Sequence, residues 1–82
     1  MYSYKTHGTC SRQINFDVVD GKLSNVSFVG GCNGNLQGIG ALVEGMPVDE
    51  AIARLNGISC NGRPTSCPDQ LAKALLQYKS QN

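Results

Sequence analysis

Eighty-two residues make one domain near the lower limit for a self-sufficient core, since a chain of this size buries roughly 60–65% of the surface its unfolded form exposes. Seven Lys and Arg stand against six Asp and Glu, a net charge of +1, and no segment gathers the basic residues, which excludes a nucleic-acid footprint. The first ten residues hold no apolar signal core and nothing approaches the ~20 apolar residues of a membrane span, so a soluble, cytoplasmic protein without membrane contact is expected.

From Met1 to Gly30 the pattern is β. Tyr2, Tyr4 and Thr6 alternate with Ser3 and Lys5, a first strand ending before Cys10. Ile14, Phe16 and Val18 alternate with Asn15 and Asp17, the period of a half-buried second strand. Asp20-Gly21 is a two-residue hairpin signal, and Leu23 to Val29 returns with Val26 and Phe28 on one face.

After Gly34 the period becomes helical. Leu36, Ile39, Leu42 and Val43 form a stripe that Gly45 ends. Gly38 and Gly40 inside it cost roughly 1 kcal/mol each against Ala, and the close approach of another backbone would account for them. Val48, Ala51, Ile52 and Leu55 follow the same spacing behind Pro47, up to Asn56-Gly57. Leu71, Ala74, Leu75 and Tyr78 repeat it behind Pro68, which suits the first helical position, with Asp69 adding favourable charge in the first turn. The order β-β-β-α-α-α predicts a single α+β domain over 1–82. Its sheet portion is 1–30, and its helical portion, 31–82, packs three helices on one face of a three-stranded antiparallel sheet.

The four cysteines fall at four junctions. Cys10 lies between the first two strands, Cys32 before the first helix, Cys60 after the second and Cys67 at the start of the third. Helix-start thiols ionise more readily than free cysteine, and thiolate is the form that binds metal or does redox work. Strand-end and helix-start loops gather at one end of such a layer, so a convergent site is expected, within reach of His7. No pair is C-x-x-C, and the zinc-ribbon spacing is absent. Each cysteine alone would pass for a small buried apolar residue. A reducing cytosol disfavours stable disulfides.

Catalysis has thinner support. His7 is the sole histidine to serve a nucleophilic cysteine, and the candidate carboxylates are Glu44, Glu50 and Asp69, the last two accounted for as first-turn residues. Gly30-Gly31-Cys32-Asn33-Gly34 lacks the Lys-Ser/Thr of a phosphate loop. Arg12 and Arg63 are expected to be solvated surface charges. The residues therefore give little support to a hydrolase or kinase.

Gly31-Cys32-Asn33-Gly34-Asn35, Leu42-Val43-Glu44-Gly45, Leu55-Asn56-Gly57-Ile58 with Cys60, and Thr65-Ser66-Cys67-Pro68-Asp69-Gln70-Leu71-Ala72 resemble the TSCPD domain, named after the residues found here at 65–69. That family occurs as small stand-alone proteins and as a C-terminal module of adenosylcobalamin-dependent (class II) ribonucleotide reductases. The resemblance implies a link to deoxyribonucleotide synthesis and a reductase or related system as protein partner. It does not imply reductase activity, because 82 residues cannot build the barrel with its cobalamin and nucleotide sites.

A looser likeness is to the U-type (NifU-like) iron–sulfur cluster scaffolds. Their three ligand cysteines are matched in position by Cys10, by Cys32 in Phe28-Val29-Gly30-Gly31-Cys32, and by Cys67. Gly45-Met46-Pro47-Val48-Asp49-Glu50-Ala51 resembles that family's turn into the next helix. Ser66 stands where the scaffolds carry histidine and Arg12 where they carry an acidic residue, both unfavourable to cluster transfer.

The favoured reading is a metal-binding module with Cys10, Cys32, Cys60 and Cys67 as ligands, His7 in reserve, and zinc ahead of an iron–sulfur cluster. A thiol–disulfide shuttle through Cys60 and Cys67, cluster assembly, and a plain interaction domain are the alternatives. The small core makes a homodimer reasonable.

Overall fold

A computed structural model of the chain describes residues 2–6, 11–31, 33–58 and 65–81. Strands β1 (Tyr2–Lys5), β2 (Ser11–Val19) and β3 (Lys22–Gly30) precede helices α1 (Asn33–Val43), α2 (Val48–Leu55) and α3 (Cys67–Gln81). The sheet is antiparallel in the order β1-β2-β3. This is the expected α+β arrangement. Its β2–β3 hairpin turns at Asp20 and Gly21, both at positive φ (54° and 76°), the backbone that an Asp-Gly pair accepts most readily.

Cross-strand register sorts the side chains. Tyr4 opposes Ile14, Ile14 opposes Phe28, and Val18 opposes Leu23. These residues and Phe16 form the apolar side of the sheet. Val43 of α1, Val48 and Ala51 of α2, and Leu71, Ala74 and Leu75 of α3 complete one core cluster with Ile14, Phe16 and Leu23. Tyr2 stacks on Phe16 at 5.5 Å and meets the edge of Tyr78 at 4.7 Å, tying the edge strand to α3. The other side of the sheet is polar. There Asn15 Oδ1 accepts hydrogen bonds from Ser3 Oγ and Gln13 Nε2.

The connection from α1 to α2 runs along the outer edge of β3. Leu23 N–H donates to the Met46 carbonyl at 2.9 Å, Gly45 N–H to the Leu23 carbonyl at 2.8 Å, and Val48 N–H to the Gly21 carbonyl at 3.0 Å. This short ladder covers the start of an edge strand that would otherwise be open to pairing. Asn25 sits opposite a register irregularity at φ 55°, and its N–H donates to Glu44 Oε1.

The first helix departs from expectation at one residue. Leu36, Gly40 and Val43 face inward, with Ile39 half-buried, while Leu42 is 78% exposed. Positions 42 and 43 lie about 100° apart on a helix, so only one can face the sheet, and Val43 does.

The two helical glycines differ for the same reason. A Cβ on Gly40 would lie 2.9 Å from the Val26 carbonyl oxygen, whereas one on Gly38 would meet nothing within 4 Å. Gly40→Ala is therefore expected to destabilise the domain by about 1–2 kcal/mol, the cost of moving α1 off β3 outweighing the helix-propensity gain. Gly38→Ala should stabilise it by about 0.5–1 kcal/mol. Paired denaturant melts test the contrast, and equal effects at the two sites would contradict the packing described.

Candidate functional site

The segment Thr65 to Gln70 builds the start of α3. The Ser66 carbonyl accepts the first intrahelical bond, from Gln70 N–H at 2.8 Å, and Ser66 Oγ accepts from Asp69 N–H at 3.2 Å. Ser66 is thus the N-cap. Its hydroxyl also donates to the Ile58 carbonyl at 2.7 Å, reaching the chain just beyond α2. Cys67 is then the first helical residue and Pro68 the second, one place later than its sequence position suggested. The N–H that proline lacks is one of the four without an intrahelical acceptor, so the ring breaks no bond there.

Asp69 is more than a dipole-favouring charge. It is 2% exposed, with Oδ2 accepting from Thr65 Oγ1 at 2.5 Å and Oδ1 accepting from Gly57 N–H at 2.7 Å and Lys73 Nζ at 3.3 Å. Gln70 Nε2 donates in turn to Thr65 Oγ1 at 2.9 Å. Burial pushes the Asp69 carboxyl up. The bonds from Thr65, Gly57 and Lys73 outweigh it and hold the group below its ordinary value. The carboxylate latches the end of α2 to the start of α3, its oxygens already engaged by donors of this chain.

Cys67 is the soft donor of the segment. It is buried, and its Sγ lies 3.1 Å from Ser11 Oγ at the start of β2. Strand alternation alone would put Ser11 on the polar side with Gln13 and Asn15. The register shifts by one residue between Ser11 and Gln13, so two steps of β2 oppose one step of β3. Ser11 is buried and in contact with α3, while Arg12 is exposed as expected. Thr6 secures the strand start, its Oγ1 donating to the Ser11 carbonyl at 2.5 Å and its N–H to the Arg12 carbonyl at 3.1 Å.

Of the predicted site residues, Cys67 lies within the described structure. Cys10, Cys32, Cys60 and His7 lie outside it, as does Arg63. Among the described residues no three His, Cys, Asp or Glu side chains gather into a metal-binding group. The described neighbours of the cysteines do come together. Ser11, next to Cys10, pairs with Gly30, two residues before Cys32. Ser11 touches Cys67, and Ser66, beside Cys67, binds Ile58, two residues before Cys60. Gly30 and Gly31, at φ 80° and 82°, turn the chain from β3 into α1, a backbone that other residues rarely adopt.

The remaining candidate carboxylates have other roles. Glu44 binds the Asn25 N–H, and Glu50 pairs with Arg54 one helical turn on at 3.6 Å, in solvent. Thr65, Gln70 and Ser11 were missed by sequence reasoning. Thr65 and Gln70 had only their closeness to Cys67 to signal them, and the register shift that brings Ser11 inward has no local sequence mark.

The family model of the TSCPD domain matches residues 2–79, nearly the whole chain. No curated protein and no solved structure matches the chain significantly. Among the described residues no helix is long and apolar enough to cross a membrane.

Proposed function

The chain belongs to the TSCPD domain family, and from that premise we propose that it is a cysteine-ligated metal-binding module with Cys10, Cys32, Cys60 and Cys67 as ligands. The observation that carries the reading is the run of contacts Gly30–Ser11–Cys67 and Ser66–Ile58, which joins residues at or within two positions of all four cysteines. The described donor chemistry fits a thiophilic metal. Cys67 offers sulfur at a buried helix start, while the neighbouring Asp69 carboxylate and Ser66 hydroxyl are taken up by the latch and the cap. Within Thr65-Ser66-Cys67-Pro68-Asp69, Thr65, Ser66 and Asp69 build the helix start and Cys67 would carry the chemistry.

Four thiolates make a soft, closed donor set, which favours zinc over a labile iron–sulfur cluster. Such a metal would link the β1–β2 connection, the β3–α1 junction and the α2–α3 connection, adding its binding free energy to a small core. By family, the module would serve as an accessory or docking domain of a nucleotide-reducing system.

A second reading draws on one contact. The bond from Ser66 ties Ile58, two residues before Cys60 in sequence, to the start of α3, which would suit a Cys60–Cys67 dithiol that exchanges electrons with a partner disulfide.

Metal and acid-labile sulfide analysis, with an absorption spectrum, on protein purified anaerobically without chelator tests the reading. About one zinc per chain and no visible absorbance is the expected result. Iron with sulfide and a brown colour would keep the ligands and replace the metal. No metal, no uptake of added zinc and four freely titrating thiols would overturn the proposal in favour of the Cys60–Cys67 pair.

A further inference from the structure

We propose that Ser11 is a positioning residue of the metal site, its hydroxyl donating a hydrogen bond to the metal-bound sulfur of Cys67. The inference rests on the metal-binding reading and adds to it a residue outside the four ligands.

Three observations converge on Ser11. The register shift between Ser11 and Gln13 interrupts β2–β3 pairing at the end of β2 that lies against α3. A bulge of this kind disturbs the ladder and re-aims a side chain. The side chain so aimed is a hydroxyl, 3% exposed, with Oγ 3.1 Å from Cys67 Sγ. The backbone at this point is fixed by both hydrogen bonds from Thr6. An apolar contact with α3 would need no hydroxyl, since Ile14 and Phe16 already place β2 in the same core cluster as Leu71, Ala74 and Leu75.

The direction of the hydrogen bond follows from the ligand. A thiol can donate or accept, but a sulfur that has released its proton on binding a metal can only accept, so the proton in the bond is the serine's. The bond withdraws charge from sulfur and fixes its orientation. Outer-shell donors of this sort set affinity and electronic properties in metal sites, and their loss typically costs about 10–100-fold in metal affinity.

The test uses the full chain with Co(II) as spectroscopic probe and Zn(II) in competition titrations, comparing wild type with Ser11→Ala, Ser11→Thr and Ser11→Val. Thr and Val share a shape and differ in the hydroxyl, so their contrast stands even if Ser11→Ala folds poorly. Ser11→Ala and Ser11→Val are expected to bind Zn(II) roughly 10–100-fold more weakly. Their sulfur-to-cobalt charge-transfer band should move to longer wavelength, as the sulfur becomes more electron-rich. Ser11→Thr should restore both properties toward wild type.

Superimposable Co(II) spectra and equal affinities across the series would overturn the role of Ser11 while leaving the metal site intact. Weaker binding with an unmoved band and no rescue by Thr would reduce Ser11 to packing and overturn it too. A wild-type chain that takes up neither ion would instead overturn the metal-binding reading, and this inference with it.

Discussion

Asp69→Ala should destabilise the domain by about 3 kcal/mol, a fall of roughly 15 °C in melting temperature for a domain of this size. The substitution removes the acceptor for Thr65 Oγ1 and Gly57 N–H, both held at 2.7 Å or less. Thr65 is buried, and a buried donor left without a partner costs about 1–3 kcal/mol, to which the lost Gly57 bond and the lost tie between α2 and α3 add. Lys73 contributes far less. Its side chain is 46% exposed, and a pair one helical turn apart with its lysine open to solvent is worth about 0.3–0.5 kcal/mol. Lys73→Ala should therefore melt close to wild type, and a large effect there would reassign the latch to the ion pair.

The same carboxylate gives the stability an acid limb. The folded-state value for Asp69 lies below the ordinary one because its three donors outweigh the cost of burial. The unfolded chain then binds a proton first as pH falls. The contribution is complete above the unfolded carboxyl value of about 3.9 and is lost as pH drops through the lower folded value. In Asp69→Asn this group no longer titrates, so the difference in stability between wild type and variant should shrink as pH falls below about 4. Parallel denaturant melts between pH 7 and pH 3 measure it, and a constant difference would contradict the assignment.

What could be foreseen in these residues follows the range of the interactions involved. Strand and helix identities rest on period, a local property, and Ile14-x-Phe16-x-Val18 and Leu71-x-x-Ala74-Leu75 carry it plainly. The hairpin at Asp20-Gly21 and the helix end at Asn56-Gly57 are likewise settled by two adjacent residues. Leu42 was misplaced because Leu42 and Val43 both satisfy the spacing, and only the docking angle of α1 on β3 chooses between them. Gly38 and Gly40 look alike in sequence for the same reason, though only Gly40 faces the Val26 carbonyl.

The candidate site was legible in part. A helix start at residues 65–69 with a thiol in its first turn could be read directly. The second role of Asp69 could not, because its partner Gly57 lies twelve residues earlier and is brought near by the packing of α2 on α3. Ser11 was hidden more deeply. Simple alternation assigns it to the polar side, and only the register shift against β3 reverses that. The likeness to the U-type scaffolds rests on element order and cysteine positions. Ser66, which that likeness would set where the scaffolds carry histidine, serves here as the helix cap, a role that leaves its hydroxyl committed.

Cys10→Ser should lower metal content and thermal stability together. Under the proposed ligation Cys10 joins the β1–β2 connection to the start of α3, a crosslink between segments more than fifty residues apart in sequence. Apparent zinc-binding free energies in structural sites are on the order of 10 kcal/mol, comparable with the whole stability expected of a domain this small, about 4–12 kcal/mol. Losing even a quarter of that contribution should lower the melting temperature by roughly 10–20 °C. A chelator added to the wild type should produce a fall of similar size, reversed by zinc, and should leave the melting of Cys10→Ser nearly unchanged. The coupling separates the readings. A Cys60–Cys67 shuttle leaves Cys10 dispensable, so the variant would keep wild-type stability with or without chelator. A buried, inert cysteine would give a modest loss of stability that no chelator reproduces. Only ligation makes the two perturbations substitute for one another, so additive effects of the variant and the chelator would remove Cys10 from the ligand set.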